Sequence, residues 1–212
     1  MIYLIGGPPK CGKTTLSKKL SKKLGIPWIS ADTLQSIVKE YADKKDVAKK
    51  FPWSLIRKTV TSNDVAYSKY TAKEIVKLYT TQAKATYGAI DTVSICEITD
   101  GNDYIIEGYQ VEPKLVDALQ KKYGTENFKA VFLVRKDVEK FVEDCKKSAT
   151  TNDWIIKKTE HEETYGKIAT MISEYGNYFE TEAKKYGLKV FNMDHDFSGK
   201  LDEIEHYLTS TT

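Results

Sequence analysis

Gly7-Pro8-Pro9-Lys10-Cys11-Gly12-Lys13-Thr14 constrains this chain more than any other stretch, because it completes a G-x-x-x-x-G-K-T pattern. The apolar run Ile2-Tyr3-Leu4-Ile5 comes just before it, and Leu16, Leu20 and Leu24 recur every fourth residue just after it. That recurrence marks one face of a helix, so the order is strand, glycine loop, helix. The chemistry of phosphate explains the residue types. Gly12 lets backbone amides turn inward, and the helix N-terminus adds partial positive charge at the same point. Lys13 supplies a mobile ammonium for the outer phosphates, and Thr14 a hydroxyl for a magnesium ion. The pattern predicts a bound nucleoside triphosphate, cradled by Gly7, Pro8, Pro9, Lys10, Cys11, Gly12, Lys13 and Thr14. Cys11 has two readings: a thiol activated by Lys13 and the helix N-terminus, or an inert side chain filling space under the loop.

The sequence of 212 residues suits one α/β domain, long enough to bury a core without disulfides or structural metal. Its three cysteines, Cys11, Cys96 and Cys145, lack C-x-x-C spacing, which argues against a zinc site or a disulfide scaffold. Neither a signal peptide nor an apolar run of membrane-spanning length is read, so a cytoplasmic location and no membrane partner are expected. The net charge of +3 gives no case for nucleic acid. Arginine is scarce: Arg57 and Arg135 are the only two. Bidentate clamps on anions need guanidinium, so both are candidate substrate-binding residues. Arg135 directly follows a predicted strand and is expected at the ligand edge. The expected assembly is a monomer or homodimer.

Short apolar runs predict strands at 2–5, 28–30, 104–107, 130–134 and 188–192. Helical stretches separate them, at 13–24, 33–41, 71–95, 113–122, 137–147, 160–186 and 199–208. Together these give a parallel sheet buried on both faces. Thr71 with Glu74 forms a capping box, Pro113 suits a first turn, and Gly25, Gly124 and Gly187 sit where helices stop. Two stretches exceed plain crossovers. Residues 42–70 are expected to form a substrate cap, and 148–159 a mobile lid.

Two acidic positions narrow the chemistry. Asp32 lies just past the second strand, and in open parallel sheets ligands bind outside the carboxyl ends of strands. A carboxylate there accepts a proton from a substrate hydroxyl or helps hold magnesium through water; the plainer reading is a cap for a helix beginning at Thr33. Glu107 closes Tyr-Ile-Ile-Glu-Gly, an apolar strand ending on an acid near the magnesium shell, and Gly108 permits close backbone approach. Lys13, Asp32 and Glu107 are therefore the candidate catalytic residues, and Thr14, Asp32 and Glu107 the candidate metal ligands. Asp32, Arg57, Gly108 and Arg135 are the candidate acceptor-binding set. Residues 193–197 are expected either to flank an adenine or to form an aspartate-rich turn.

With these residues in hand, the chain resembles the P-loop small-molecule kinases of the nucleoside monophosphate kinase type. Ile-Ser-Ala-Asp-Thr-Leu and Tyr-Ile-Ile-Glu-Gly-Tyr-Gln-Val-Glu-Pro look most like the 2-phosphoglycerate kinase-like and zeta-toxin-like members. The resemblance implies a three-layer αβα fold with a five-stranded parallel sheet of order 2-3-1-4-5. It implies ATP and Mg2+ as cosubstrate and metal, a contact from Thr15 to the α-phosphate, and a lid around 148–158. The activity it implies is ATP-dependent phosphoryl transfer to a small molecule's hydroxyl or phosphate. An adenylate kinase-like nucleotide kinase, a regulatory NTPase that hydrolyses ATP, and a binding module without turnover are the alternatives.

Overall fold

The computed structural model of the chain describes residues 1–147 and 153–210. Its centre is a parallel sheet of β1 (Ile2–Gly6), β2 (Trp28–Ser30), β3 (Tyr104–Glu107), β4 (Phe128–Val134) and β5 (Lys189–Asn192), in the order β2-β3-β1-β4-β5. This is the order the resemblance implies. All five residues of β1 are buried, as a strand covered on both faces requires.

The connecting helices lie where hydrophobic periodicity puts them. α1 (Lys13–Leu24) buries Leu16 and Leu20 against the sheet, each worth about 1.5–3 kcal/mol, and ends at Gly25 with φ 68°. α2 is Ala31–Glu40. α6 (Ala72–Thr99) begins at the capping box of Thr71 and Glu74, with both reciprocal bonds formed. α7 (Pro113–Tyr123), α8 (Val138–Lys147), α10 (Glu162–Lys185) and α11 (Phe197–Thr209) complete the sandwich. α6 and α10 pack against each other over β1 and β4, while α1 and α11 meet on the other side of the sheet.

Residues 42–70 hold three short helices that periodicity did not reveal: α3 (Lys44–Lys50), α4 (Pro52–Thr59) and α5 (Asn63–Lys69). Each is eight residues or fewer, too short to show a repeating apolar face. Of the stretch 148–159, residues 148–152 lie outside the described residues, and α9 (Trp154–Lys157) is a single turn capped by Asp153.

These two segments are clasped together. Asn63, fully buried, donates its side-chain amide to Thr159 Oγ1 at 2.8 Å and to Trp154 O at 3.1 Å, and its backbone N–H to Lys158 O at 2.7 Å. Asp64 accepts the N–H groups of Glu160 and His161 at 3.0 and 3.2 Å. One rigid corner therefore joins both insertions.

Candidate active site

Strand register assembles the site. Ile5 of β1 lies level with Glu107 of β3, which lies level with Ser30 of β2. The glycine loop, the acid and Asp32 therefore leave the sheet at one carboxyl edge, side by side. Thr14 Oγ1 donates to Glu107 Oε1 at 2.8 Å, joining the first helical turn after the loop to the end of β3. Glu107 is buried, at 3% exposure.

The loop is built by backbone conformations that side chains resist. Gly12 takes φ 93°, and a Cβ there would meet the Phe197 ring at 2.7 Å. Gly7 takes φ 128°, with the backbone of Leu133 against it. Lys10 is left-handed too, at φ 64°, and its ammonium pairs with Asp153, the cap of α9. Lys13 is buried and curls over the loop to donate to Pro8 O at 2.6 Å. Thr14 and Thr15 are exposed at the rim. Cys11 is wholly buried, its Sγ 3.6 Å from Pro9 O, and burial pushes the thiol up to about 12. The activated-thiolate reading is thus corrected: desolvation outweighs the cations Lys13 and Arg135.

A cleft of about 640 Å³ opens over this loop, lined by Lys10, Lys13, Thr15, Arg135, Asp194 and Phe197 among others. Arg135 therefore stands on the loop side, not beside Asp32 and Arg57. It is 7% exposed, pairs with Asp144 at 2.5 Å, and has Nε 3.5 Å from Asp194 Oδ1. Asp194 also accepts the backbone N–H groups of Lys136 and Asp137, which fixes the exit of β4. Phe197 is 41% exposed at the mouth.

On the other side, the helix after β2 starts two residues earlier than expected. Ser30 is its cap, accepting from Asp32 N at 3.3 Å, so the capping role read for Asp32 is corrected. The Asp32 side chain is exposed and accepts Gln110 Nε2 at 2.8 Å. Gln110 is fully buried, and among the described residues its Oε1 has no partner, which costs about 1–3 kcal/mol. Gly108 makes room for that amide: a Cβ there would lie 2.5 Å from Gln110 Oε1. Arg57 is half-buried, bonded to Asn63 Oδ1, and its guanidinium lies 5.3 Å from the Trp154 ring centre. Among the described residues it forms no ion pair. Tyr67 and Tyr79 lie in its field, and burial raises both phenols, Tyr79 to about 12.

Sequence reasoning missed Gln110, Gln35, Tyr109 and Gln82, which form the buried polar wall behind Asp32. Gln110 had a visible signal, standing two residues beyond Gly108 in the same strand exit. Tyr109 stands beside it in that exit, while Gln35 and Gln82 sit on helices, where a lone glutamine carries no pattern.

A parallel sheet of order 2-3-1-4-5 with a glycine loop after its central strand is a fold that small-molecule kinases of known structure share. Solved structures of that class match nearly the whole chain. A shikimate kinase from Bacteroides thetaiotaomicron aligns at TM-score 0.52 and 15% identity, covering 99% of each chain. A gluconokinase from Sinorhizobium meliloti aligns at 0.52 and 10% identity, covering 97% of this chain and 94% of its own. A sugar kinase from a Janibacter species aligns at 0.54 and 12% identity, covering 98% and 92%. No family model matches the chain. A curated relative, mevalonate-3-phosphate 5-kinase from Thermoplasma acidophilum, is 26% identical over 122 residues, 57% of this chain. The match spans about half of that relative's length, 56%. Among the described residues, no helix is long and apolar enough to cross a membrane.

Proposed function

We propose that this chain transfers the γ-phosphoryl group of ATP to a hydroxyl of a small anionic acceptor. The observation that carries the reading is the meeting of Thr14 with Glu107 at the strand edge from which Asp32 also projects. This neighbourhood supports a loop for the donor beside an exposed carboxylate for the acceptor. The half-buried Arg57, without an ion-pair partner among the described residues, supports an acidic acceptor. So does the curated relative, whose name gives it a phosphorylated hydroxy acid as substrate.

In this reading the loop residues Gly7 to Thr15 hold the triphosphate, with Lys13 swinging from Pro8 O to the outer phosphates. Arg135 neutralises charge from the cleft side, and Phe197 offers its exposed ring to the base. Asp32 takes the proton of the acceptor hydroxyl. The acceptor oxygen bonds to the γ-phosphorus as the bond to the β,γ-bridging oxygen breaks, and ADP leaves. Thr14, Glu107 and Asp32 offer only oxygen donors, the set that suits magnesium, and they are the residues that would hold it. When bound, that ion offsets phosphate charge. The segment 42–70 serves as acceptor cap, and the lid is the stretch 148–159, of which 153–159 is described.

The test is ADP release above the hydrolysis background, with Mg-ATP and a panel of mevalonate 3-phosphate, shikimate, gluconate and AMP. Lys13→Ala should abolish turnover, since it removes the charge aimed at the outer phosphates. Asp32→Asn should lower kcat on the order of a hundredfold with little change in ATP affinity. ADP release that no acceptor stimulates would replace this reading with a simple NTPase.

A further inference from the structure

The polar wall behind Asp32 is a single directed chain of hydrogen bonds. It starts at α4, whose N-terminus has no side-chain cap, and there Ser54 N–H donates to Gln82 Oε1. A backbone N–H can only donate, so the Gln82 amide is oriented, and its Nε2 must face Tyr109, donating to the hydroxyl at 2.9 Å. The Tyr109 hydroxyl then donates to Gln35 Oε1 at 2.6 Å. Gln35 Oε1 also accepts Gln110 Nε2 at 3.2 Å, and the second N–H of that same amide goes to Asp32 Oδ1 at 2.8 Å. Each link sets the next. All four side chains in the chain are buried, at 8% exposure or less.

We propose that Gln110 is a positioning residue for Asp32 and that the relay Gln82–Tyr109–Gln35–Gln110 couples the carboxylate to the cap. The unpartnered Gln110 carbonyl supports this. An apolar side chain would fill the same space without leaving a buried acceptor unpaired, so the amide is there for what its N–H groups do. Gly108 accords with it, since a Cβ there would crowd both Gln110 Oε1 at 2.5 Å and Ala31 Cβ at 2.8 Å. A shift of α4 relative to α6 when the cap engages an acceptor changes the first bond and, link by link, the bond to Asp32. The carboxylate is thereby held in one orientation when the cap sits over its substrate.

The role given to Asp32 rests on the kinase reading, so the experiment has one arm that needs no turnover. Gln82→Glu keeps the acceptor for Ser54 N–H and, as a carboxylate above its own titration, cannot donate to Tyr109. Tyr109→Phe keeps the ring and removes the hydroxyl. In both variants the side-chain amide resonances of Gln110 and the carboxyl carbon resonance of Asp32 should move. Ser94→Ala, which removes a buried hydroxyl on the same helix that bonds Ile90 O, should leave them in place. Unmoved Asp32 and Gln110 resonances in Tyr109→Phe overturn the relay. The second arm uses whichever panel acceptor stimulates ADP release. Both variants should lower kcat roughly tenfold with the KM for ATP unchanged, and should have no further effect in an Asp32→Asn background. Full additivity with Asp32→Asn overturns the positioning role. Absence of stimulation by every acceptor removes the kinase reading and leaves the relay to be judged by the resonances.

Discussion

At the scale of single residues, the site's chemistry follows from what burial does to each group. Cys11 and Lys13 are neighbours in the loop, yet the thiol faces the protein interior and the ammonium reaches a carbonyl at the loop's inner edge. Burial holds Cys11 protonated at neutral pH, so alkylation should spare it with or without Mg-ATP. Cys96, the exposed cysteine, should be labelled first, as mass spectrometry of iodoacetamide-treated protein would show. Fast labelling of Cys11 would mean the loop opens in solution. The sequence displayed both Lys13 and Cys11, but not which way either points. A pattern of residue types specifies the backbone of a phosphate loop, whereas side-chain direction depends on what the fold packs beneath it. Glu107 and Asp32 were legible for the same reason that Gln110 was not. An acid at a strand's end is conspicuous, while the role of a glutamine near that end shows only once the fold links it, through Gln35, to Tyr109 and Gln82.

At the scale of elements, strands and long helices were legible within a few residues, because each buries one continuous face. The segment 42–70 was not, since α3, α4 and α5 are each too short to show a repeating apolar face, and α5 is held by side-chain bonds to a distant segment. Asn63 is the main pin. Its side-chain amide reaches Trp154 O and Thr159 Oγ1, so Asn63→Ala takes that partner from both groups, while the backbone bond to Lys158 O survives. The expected loss is about 1–3 kcal/mol of stability, from buried bonds removed without replacement. Chemical denaturation should record it, and amide exchange should quicken in residues 153–161 while the strands stay protected. Unchanged exchange there would mean the clasp contributes nothing to holding the two insertions together.

At the scale of the whole molecule, Glu112 ties stability to pH. It is 1% exposed, takes bonds from Tyr87 and from Tyr178 at 3.0 Å, and burial raises its carboxyl from 4.5 to about 7. Below pH 4.5 both folded and unfolded chains hold the proton, so the group is neutral in effect. Between 4.5 and about 7 the unfolded chain releases it while the folded chain keeps it, and stability falls until the folded carboxyl ionises. That shift corresponds to about 3 kcal/mol across the window. Glu112→Gln should remove this slope, gaining on wild type as pH rises from 5 to 8 in urea melts; parallel curves would show that Glu112 titrates normally. The register of the sheet has a different consequence, one of timing. Of the five strands of the sheet, β1 is made before the others, yet its neighbours are β3, with Ile2 opposite Tyr104, and β4, with Ile2 opposite Phe128. At translation speeds of about 5–20 residues per second, Ile2-Tyr3-Leu4-Ile5 waits on the order of 5–20 s with both edges unpaired. The strand that carries the phosphate loop is thus also the segment of the nascent chain most in need of shelter during synthesis.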